Sequence, residues 1–112
     1  MQDLVIKQKI EDMIAYGYVA LREFPKHERH VLSQEVRNCM WQLLEKVVIC
    51  NKRYYKKNTL QEIDVTIDIL RSKIRLAHSL KYLPMRKYEH WSRMIDEIGR
   101  LTGGWIKSMR KT

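Results

Sequence analysis

Residues 86–109, RKYEHWSRMIDEIGRLTGGWIKSM, carry two heptad series at once. Tyr88, Trp91, Ile95, Ile98, Thr102, Trp105 and Met109 recur in alternating steps of three and four, the spacing of a buried helical seam. Arg86, Arg93, Arg100 and Lys107 recur every seven residues. Seven residues are close to two helical turns, so these four cations line one side of one helix. A helix with a core face and a cationic face points to a small helical protein that meets a polyanion, not to an enzyme. The acids of this stretch suggest local pairs, Arg93 with Glu97 and Asp96 with Arg100, each four residues apart. Beyond Glu97 no acid follows, whereas Arg100, Lys107, Arg110 and Lys111 do. The terminal stretch is therefore the better anion site.

Gly99 and Gly103 fall within the seam and Gly104 directly follows. A mid-helix glycine costs roughly 1 kcal/mol against alanine, so close approach of a neighbouring helix is the expected reason for them. The seam runs on to Trp105 and Met109, which predicts that the helix continues through the glycines.

Working back from this stretch, Pro84 and Pro25 punctuate a chain otherwise poor in breakers. Thr59 and Glu62 form the T-x-x-E pattern of a capping box. These marks leave four helical segments, roughly 3–23, 28–57, 60–82 and 86–109. The first places Ile6, Ile10, Met13, Gly17 and Leu21 on one face. The third reads Leu60, Ile63, Ile67, Leu70, Ile74 and Ala77 as an unbroken seam. Short connections between long helices favour antiparallel neighbours, so the expected fold is an all-α, up-down-up-down four-helix bundle forming one domain over residues 1–112.

The second segment has a core series, Val36, Met40, Leu43, Val47, Cys50 and Tyr54, and a second apolar stripe of Trp41, Leu44, Val48 and Tyr55. One apolar face is enough to close a bundle. The extra stripe reads as a self-association surface making the protein a homo-oligomer; the alternative is a central helix buried on two sides within the monomer.

The 112 residues contain 22 Lys plus Arg against 13 Asp plus Glu, a net charge of +9. Such an excess fits nucleic acid or another acidic partner. Lys52, Arg53, Tyr54, Tyr55, Lys56 and Lys57 interleave cations with aromatics, a pattern that holds phosphates while rings stack on bases. The plainer reading is a helix end whose cations satisfy its dipole. On the third segment Arg71, Arg75 and His78 share a face, and Asp68 lies one turn before Arg71.

Cys39 and Cys50 sit eleven residues apart on one helix, about 16 Å, too far for a disulfide between them. Free thiols fit a reducing, cytoplasmic setting. No C-x-x-C pair, metal-ligand spacing, E-x-x-H, phosphate loop or G-x-S-x-G occurs, so no metal and no cofactor is expected. The opening MQDLVIKQKIEDM mixes lysines and acids, unlike a signal peptide, and no apolar run nears the roughly 18 residues of a membrane span.

FPKHER from Phe24, LRSKIRLAHSLKYLPMRKYEHWSRM from Leu70, and IDEIGRLTGGWIK from Ile95 together resemble a bacterial four-helix-bundle family. That family includes proteins encoded in ribosomal-RNA intervening sequences and the accessory variability determinants of diversity-generating retroelements. The EIGRLTGGWIK ending and the Arg71–Arg75 segment resemble the retroelement branch more. That resemblance implies a pentameric, ring-like barrel of bundles that binds a reverse transcriptase together with RNA or DNA and has no catalytic site. It also implies Arg71 and Arg75 as contacts to nucleic acid or polymerase. Thr102, where an apolar residue is usual, and Trp91, bulky for its position, depart from the family pattern. Two other readings stand beside it: an intervening-sequence bundle of unassigned role, and a ribonuclease. The second arises because Arg71 and His78 (R-x6-H) loosely resemble the HEPN motif, with Arg22 and His27 as a further Arg–His pair.

Overall fold

The computed structural model describes residues 2–110, with the side chains of residues 4–110. Four long helices follow one another: α1 (Gln2–Leu21), α2 (Leu32–Lys52), α3 (Lys57–Ser79) and α4 (Met85–Arg110). A single 3-10 turn, Lys26–Glu28, lies between α1 and α2. No strand occurs among the described residues.

Each helix packs on two neighbours in the cyclic order α1, α2, α3, α4. Cross-helix contacts fix the directions. Lys73 of α3 meets Glu35 near the start of α2, whereas Lys46 near the end of α2 reaches Thr66. His78 at the end of α3 stacks on Tyr88 at the start of α4. Tyr16 late in α1 meets His90 early in α4. All neighbours are therefore antiparallel, in a body of 47 × 24 × 19 Å.

The seams become the core. Ile6, Ile10 and Met13 of α1, Val36, Met40, Leu43, Val47 and Cys50 of α2, all six positions of the α3 series, and Trp91, Ile95, Ile98, Thr102 and Trp105 of α4 are buried. Each large aliphatic so buried contributes roughly 1.5–3 kcal/mol against exposure. The two departures from the family pattern have local reasons. Trp91 is accommodated by Gly17: a Cβ there would lie 2.6 Å from Met40 Sδ and 2.9 Å from Trp91 Cζ2. The indole N–H faces Met13 Sδ at 3.4 Å. Thr102 is fully buried, and its hydroxyl donates to the Ile98 carbonyl at 2.8 Å, so no polar atom is stranded.

Three local expectations need correction. The second segment does not run unbroken from 28 to 57, because Lys56 Nζ donates to the Cys50 carbonyl (2.6 Å) and the Arg53 carbonyl (2.7 Å). An ammonium capping the last carbonyls ends α2 at Lys52 and turns the chain. Tyr54 is then 88% exposed rather than in the core, and Tyr55, 83% exposed, lies beyond the helix that carries the rest of its stripe. Thr59 and Glu62 form no capping box. α3 starts at Lys57, so Thr59 lies inside its first turn, where it accepts a hydrogen bond from Arg53 Nη1 at 2.9 Å. The connection from α3 to α4 closes by a Schellman pattern, with Tyr82 N–H to the Ala77 carbonyl and Lys81 N–H to the His78 carbonyl, both 2.9 Å. Lys81 there adopts φ 65°, a backbone conformation that favours glycine.

Candidate nucleic-acid interface

α4 runs unbroken to Arg110, through all three glycines. Arg86, Arg93, Arg100 and Lys107 are all exposed along it. They span about 31 Å of helix at a rise of 1.5 Å per residue. Their charges are not equal. Arg100 pairs with Glu97 at 2.8 Å, three residues back, and that contact holds the Glu97 carboxyl below its usual range while raising Arg100. Arg86, Arg93 and Lys107 form no ion pair among the described residues. The two expected i,i+4 pairs thus give way to one i,i+3 pair and one pair between helices.

That second pair uses Arg71. Its Nη1 meets Asp68 at 2.7 Å, as the sequence suggests, and its Nε meets Asp96 of α4 at 3.0 Å. Gly99 is the position that lets the guanidinium lie there, because a Cβ at Gly99 would overlap Arg71 Nη2. Arg71 is a clamp between α3 and α4, with two carboxylates against its single charge. Arg75, one turn on, is exposed and has no ion pair among the described residues. Gly103 differs from Gly99: a Cβ there would meet nothing within 4 Å among the described residues.

His78 has a structural task. Its Nδ1 lies 3.0 Å from the Leu83 carbonyl, an acceptor only, so this nitrogen carries the proton. The ring stacks on Tyr88 with centroids 4.4 Å apart and planes 1° from parallel. Both members of the Arg71–His78 pair are thus engaged in holding α3 to α4.

The fold gathers cations that the sequence separates. Lys57 at the start of α3 and Arg110 at the end of α4 line one cleft of about 510 Å³ together with Leu60, Gln61, Asp64 and Ile106. Lys52 and Arg53 close α2 at the same end of the body, and Lys107 lies one turn before Arg110. Tyr54 and Tyr55 stand beside them, rings edge to face with centroids 4.9 Å apart. Lys56 is drawn off to cap α2. Lys111 lies outside the described residues.

The apolar stripe on α2 is not consumed within the bundle. Trp41 is 45% and Val48 40% exposed, Ile49 adds a further exposed side chain, and Leu44 is half-buried. The Trp41 indole N–H donates to Tyr18 of α1 at 3.0 Å, which extends the surface across two helices. The reading in which α2 is buried on two sides by its own chain is therefore excluded.

A second basic cluster was not singled out by the sequence. Arg22, Lys26, Arg29 and Arg37 line one cleft at the corner between α1 and α2. They fall in no helical period, since a 3-10 turn intervenes, so only the folded chain shows them together.

The sequence pattern of the bAvd-like family matches residues 4–109. The chain belongs to the bAvd-like family. The match spans nearly all of the four helices, so the resemblance carried by FPKHER, LRSKIRLAHSLKYLPMRKYEHWSRM and IDEIGRLTGGWIK holds at the level of the family. No curated protein matches the chain. Among the described residues there is no helix long and apolar enough to cross a membrane and no cluster of potential metal ligands.

Proposed function

We propose that this protein is a non-catalytic accessory protein of a diversity-generating retroelement, docking a reverse transcriptase and nucleic acid to support mutagenic complementary-DNA synthesis. Membership of the bAvd-like family supports the accessory role. The observation that carries the nucleic-acid part is the end of the bundle that Lys52, Arg53, Lys57, Lys107 and Arg110 share with Tyr54 and Tyr55, two tyrosines left almost wholly exposed. Cations neutralise phosphates and rings offer stacking faces to unpaired bases, each base–ring stack contributing about 1–3 kcal/mol. Arg75, Arg86 and Arg93 extend the positive surface along α3 and α4; Arg71, neutralised by Asp68 and Asp96, supports that surface instead of touching phosphate.

Assembly into a homo-oligomer, a ring of five by family resemblance, uses the exposed stripe of Trp41, Leu44 and Val48. Gly103 and Gly104 leave α4 bare where another chain's backbone can approach closely. The test is reconstitution: reverse transcriptase, template RNA and this protein, with complementary DNA as readout. Synthesis rises when wild-type protein is added and does not rise with the triple variant Lys52→Glu, Lys57→Glu, Arg110→Glu. Failure of the wild type to be captured by the polymerase favours an intervening-sequence bundle. RNA cleavage that disappears with His78→Ala favours the ribonuclease.

A further inference from the structure

The cleft between α1 and α2 lies at the other end of α2 from Lys52, about 30 Å away at 1.5 Å per residue. It encloses about 440 Å³, and no carboxylate contributes to its lining. Its four cations are differently held. Arg37 Nη2 donates to the Arg29 carbonyl at 2.9 Å and to Gln34 Oε1 at 2.8 Å. These bonds fix the guanidinium and leave its Nη1 and Nε uncommitted. Arg22, Lys26 and Arg29 have no ion pair among the described residues. Of the two acids next to these cations in sequence, Glu23 is turned to Lys87 of α4 at 3.6 Å, and Glu28 in the 3-10 turn neither lines the cleft nor forms an ion pair among the described residues.

The start of α2 adds donors. Its N-cap, Val31, has no side chain able to cap. The first helical bond runs from the Glu35 amide to the Val31 carbonyl at 3.0 Å, so the Leu32, Ser33 and Gln34 amides have no intrahelical acceptor. At α1 the closing carbonyls are engaged by the chain that follows. Those of Val19, Ala20 and Leu21 are already taken by the amides of Arg22, Glu23 and Phe24. Ser33 is the deciding residue. It is only 3% exposed, it lines the cleft, and its hydroxyl makes no hydrogen bond among the described residues. The hydroxyl oxygen is not sealed off, since the one fully buried side-chain oxygen without a partner among the described residues is Asn51 Oδ1; it is open to the cleft and free to bond a ligand there.

We propose that this corner is a binding site for a phosphomonoester dianion, the chemistry of a free phosphate or of a phosphorylated end of a nucleic-acid strand. A helix N-terminus, an unpartnered hydroxyl and four converging cations together suit two negative charges and three free oxygens on one phosphorus. An internal phosphodiester carries half that charge and one free oxygen fewer, and so leaves part of these donors unused. The Arg37 fork, held from behind by Arg29 and Gln34, presents the fixed geometry that oxyanions favour. The site is separate from the interface proposed at the far end of the bundle.

The experiment compares two single-stranded oligonucleotides of one sequence, one 5′-phosphorylated and one 5′-hydroxyl, titrated into the full chain. The phosphorylated strand binds about tenfold more tightly, the worth of one well-made charge-assisted hydrogen bond. Inorganic phosphate competes away that difference, and its own affinity, measured by calorimetry, tells the free anion from the strand end as the preferred source. The double variant Arg22→Ala, Lys26→Ala loses the preference, and Ser33→Ala reduces it with no loss of thermal stability. Lys7→Ala, Lys9→Ala, which removes the same charge from a part of α1 with no assigned binding role, keeps it. Equal affinity of the wild type for both strands overturns the site while leaving salt-dependent binding at the other end intact. Equal loss in the Lys7, Lys9 control also overturns it, because general charge would then account for the effect.

Discussion

Gly17→Ala tests how the α1–α4 packing is built. A methyl group there would sit 2.6 Å from Met40 Sδ and 2.9 Å from Trp91 Cζ2. Ordinary carbon contacts are about 3.5–4.0 Å, so both neighbours must withdraw by about 1 Å. Met40 is flexible but fully buried, and the Trp91 ring is rigid and fully buried. Overpacking of this kind costs about 1–3 kcal/mol, and alanine recovers about 1 kcal/mol of helix propensity. The net loss is about 1 kcal/mol, or about 4 °C in melting temperature for a domain of this size. Gly103→Ala provides the contrast, since nothing lies within 4 Å of its Cβ. In the dissociated chain it keeps the whole propensity gain of about 1 kcal/mol and raises the melting temperature by a similar amount. Thermal unfolding by circular dichroism, at a protein concentration low enough to dissociate any assembly, reads both. In a Trp91→Leu background the Gly17→Ala penalty shrinks by the share that the indole contributes, and the overlap with Met40 remains. The reasoning is refuted if both glycine substitutions stabilise the bundle equally.

Three further outcomes follow from particular contacts. Lys81→Gly relieves the left-handed backbone at the end of α3 and raises stability by about 1 kcal/mol in denaturant unfolding; an unchanged midpoint would contradict the strain. The Lys73 ammonium holds the Glu35 carboxyl below its usual value, so their contact stabilises the fold above the unfolded carboxylate pKa of about 4.5 and is lost as pH falls through the lowered folded value. Glu35→Gln therefore melts lower than wild type at pH 6, and the gap closes as pH falls below about 4.5; a gap that stays constant on acidification would rule the ion pair out. Burial pushes the Cys39 and Cys50 thiols up, so both stay protonated at neutral pH and iodoacetamide labels them only on unfolding. Rapid labelling of the native protein would contradict their burial.

The helical skeleton was legible because the apolar periodicity matches the packing position for position on α3 and from Trp91 to Trp105 on α4, whereas Tyr88 is half-buried and Met109 is exposed at the two ends of that seam. Ile63, Ile67, Leu70 and Ile74 need only the spacing of their own helix to be placed in a core. What escaped the sequence depends on partners distant along the chain. Lys56 folding back onto the Cys50 carbonyl ends α2 three residues before Tyr55, and no periodic pattern announces a lysine cap. Arg71 reads as paired with Asp68 alone until Asp96, 25 residues on, is brought beside it. Trp91 reads as oversized until Gly17 is set against it. The basic ends were half legible: KRYYKK stands out in the sequence, but its meeting with Arg110 does not. The α1–α2 corner was missed because its four cations straddle a 3-10 turn, where helical periodicity has no meaning.

The account turns on basic residues of the α2–α3 end engaging phosphates together. Binding of a single-stranded oligonucleotide across a salt series measures this directly. For about four phosphate contacts the slope of log affinity against log salt is about −3, and Lys52→Glu, Lys57→Glu, Arg110→Glu flattens it by about 2. Weak binding with a slope near zero, or an unchanged slope in the triple variant, would contradict it.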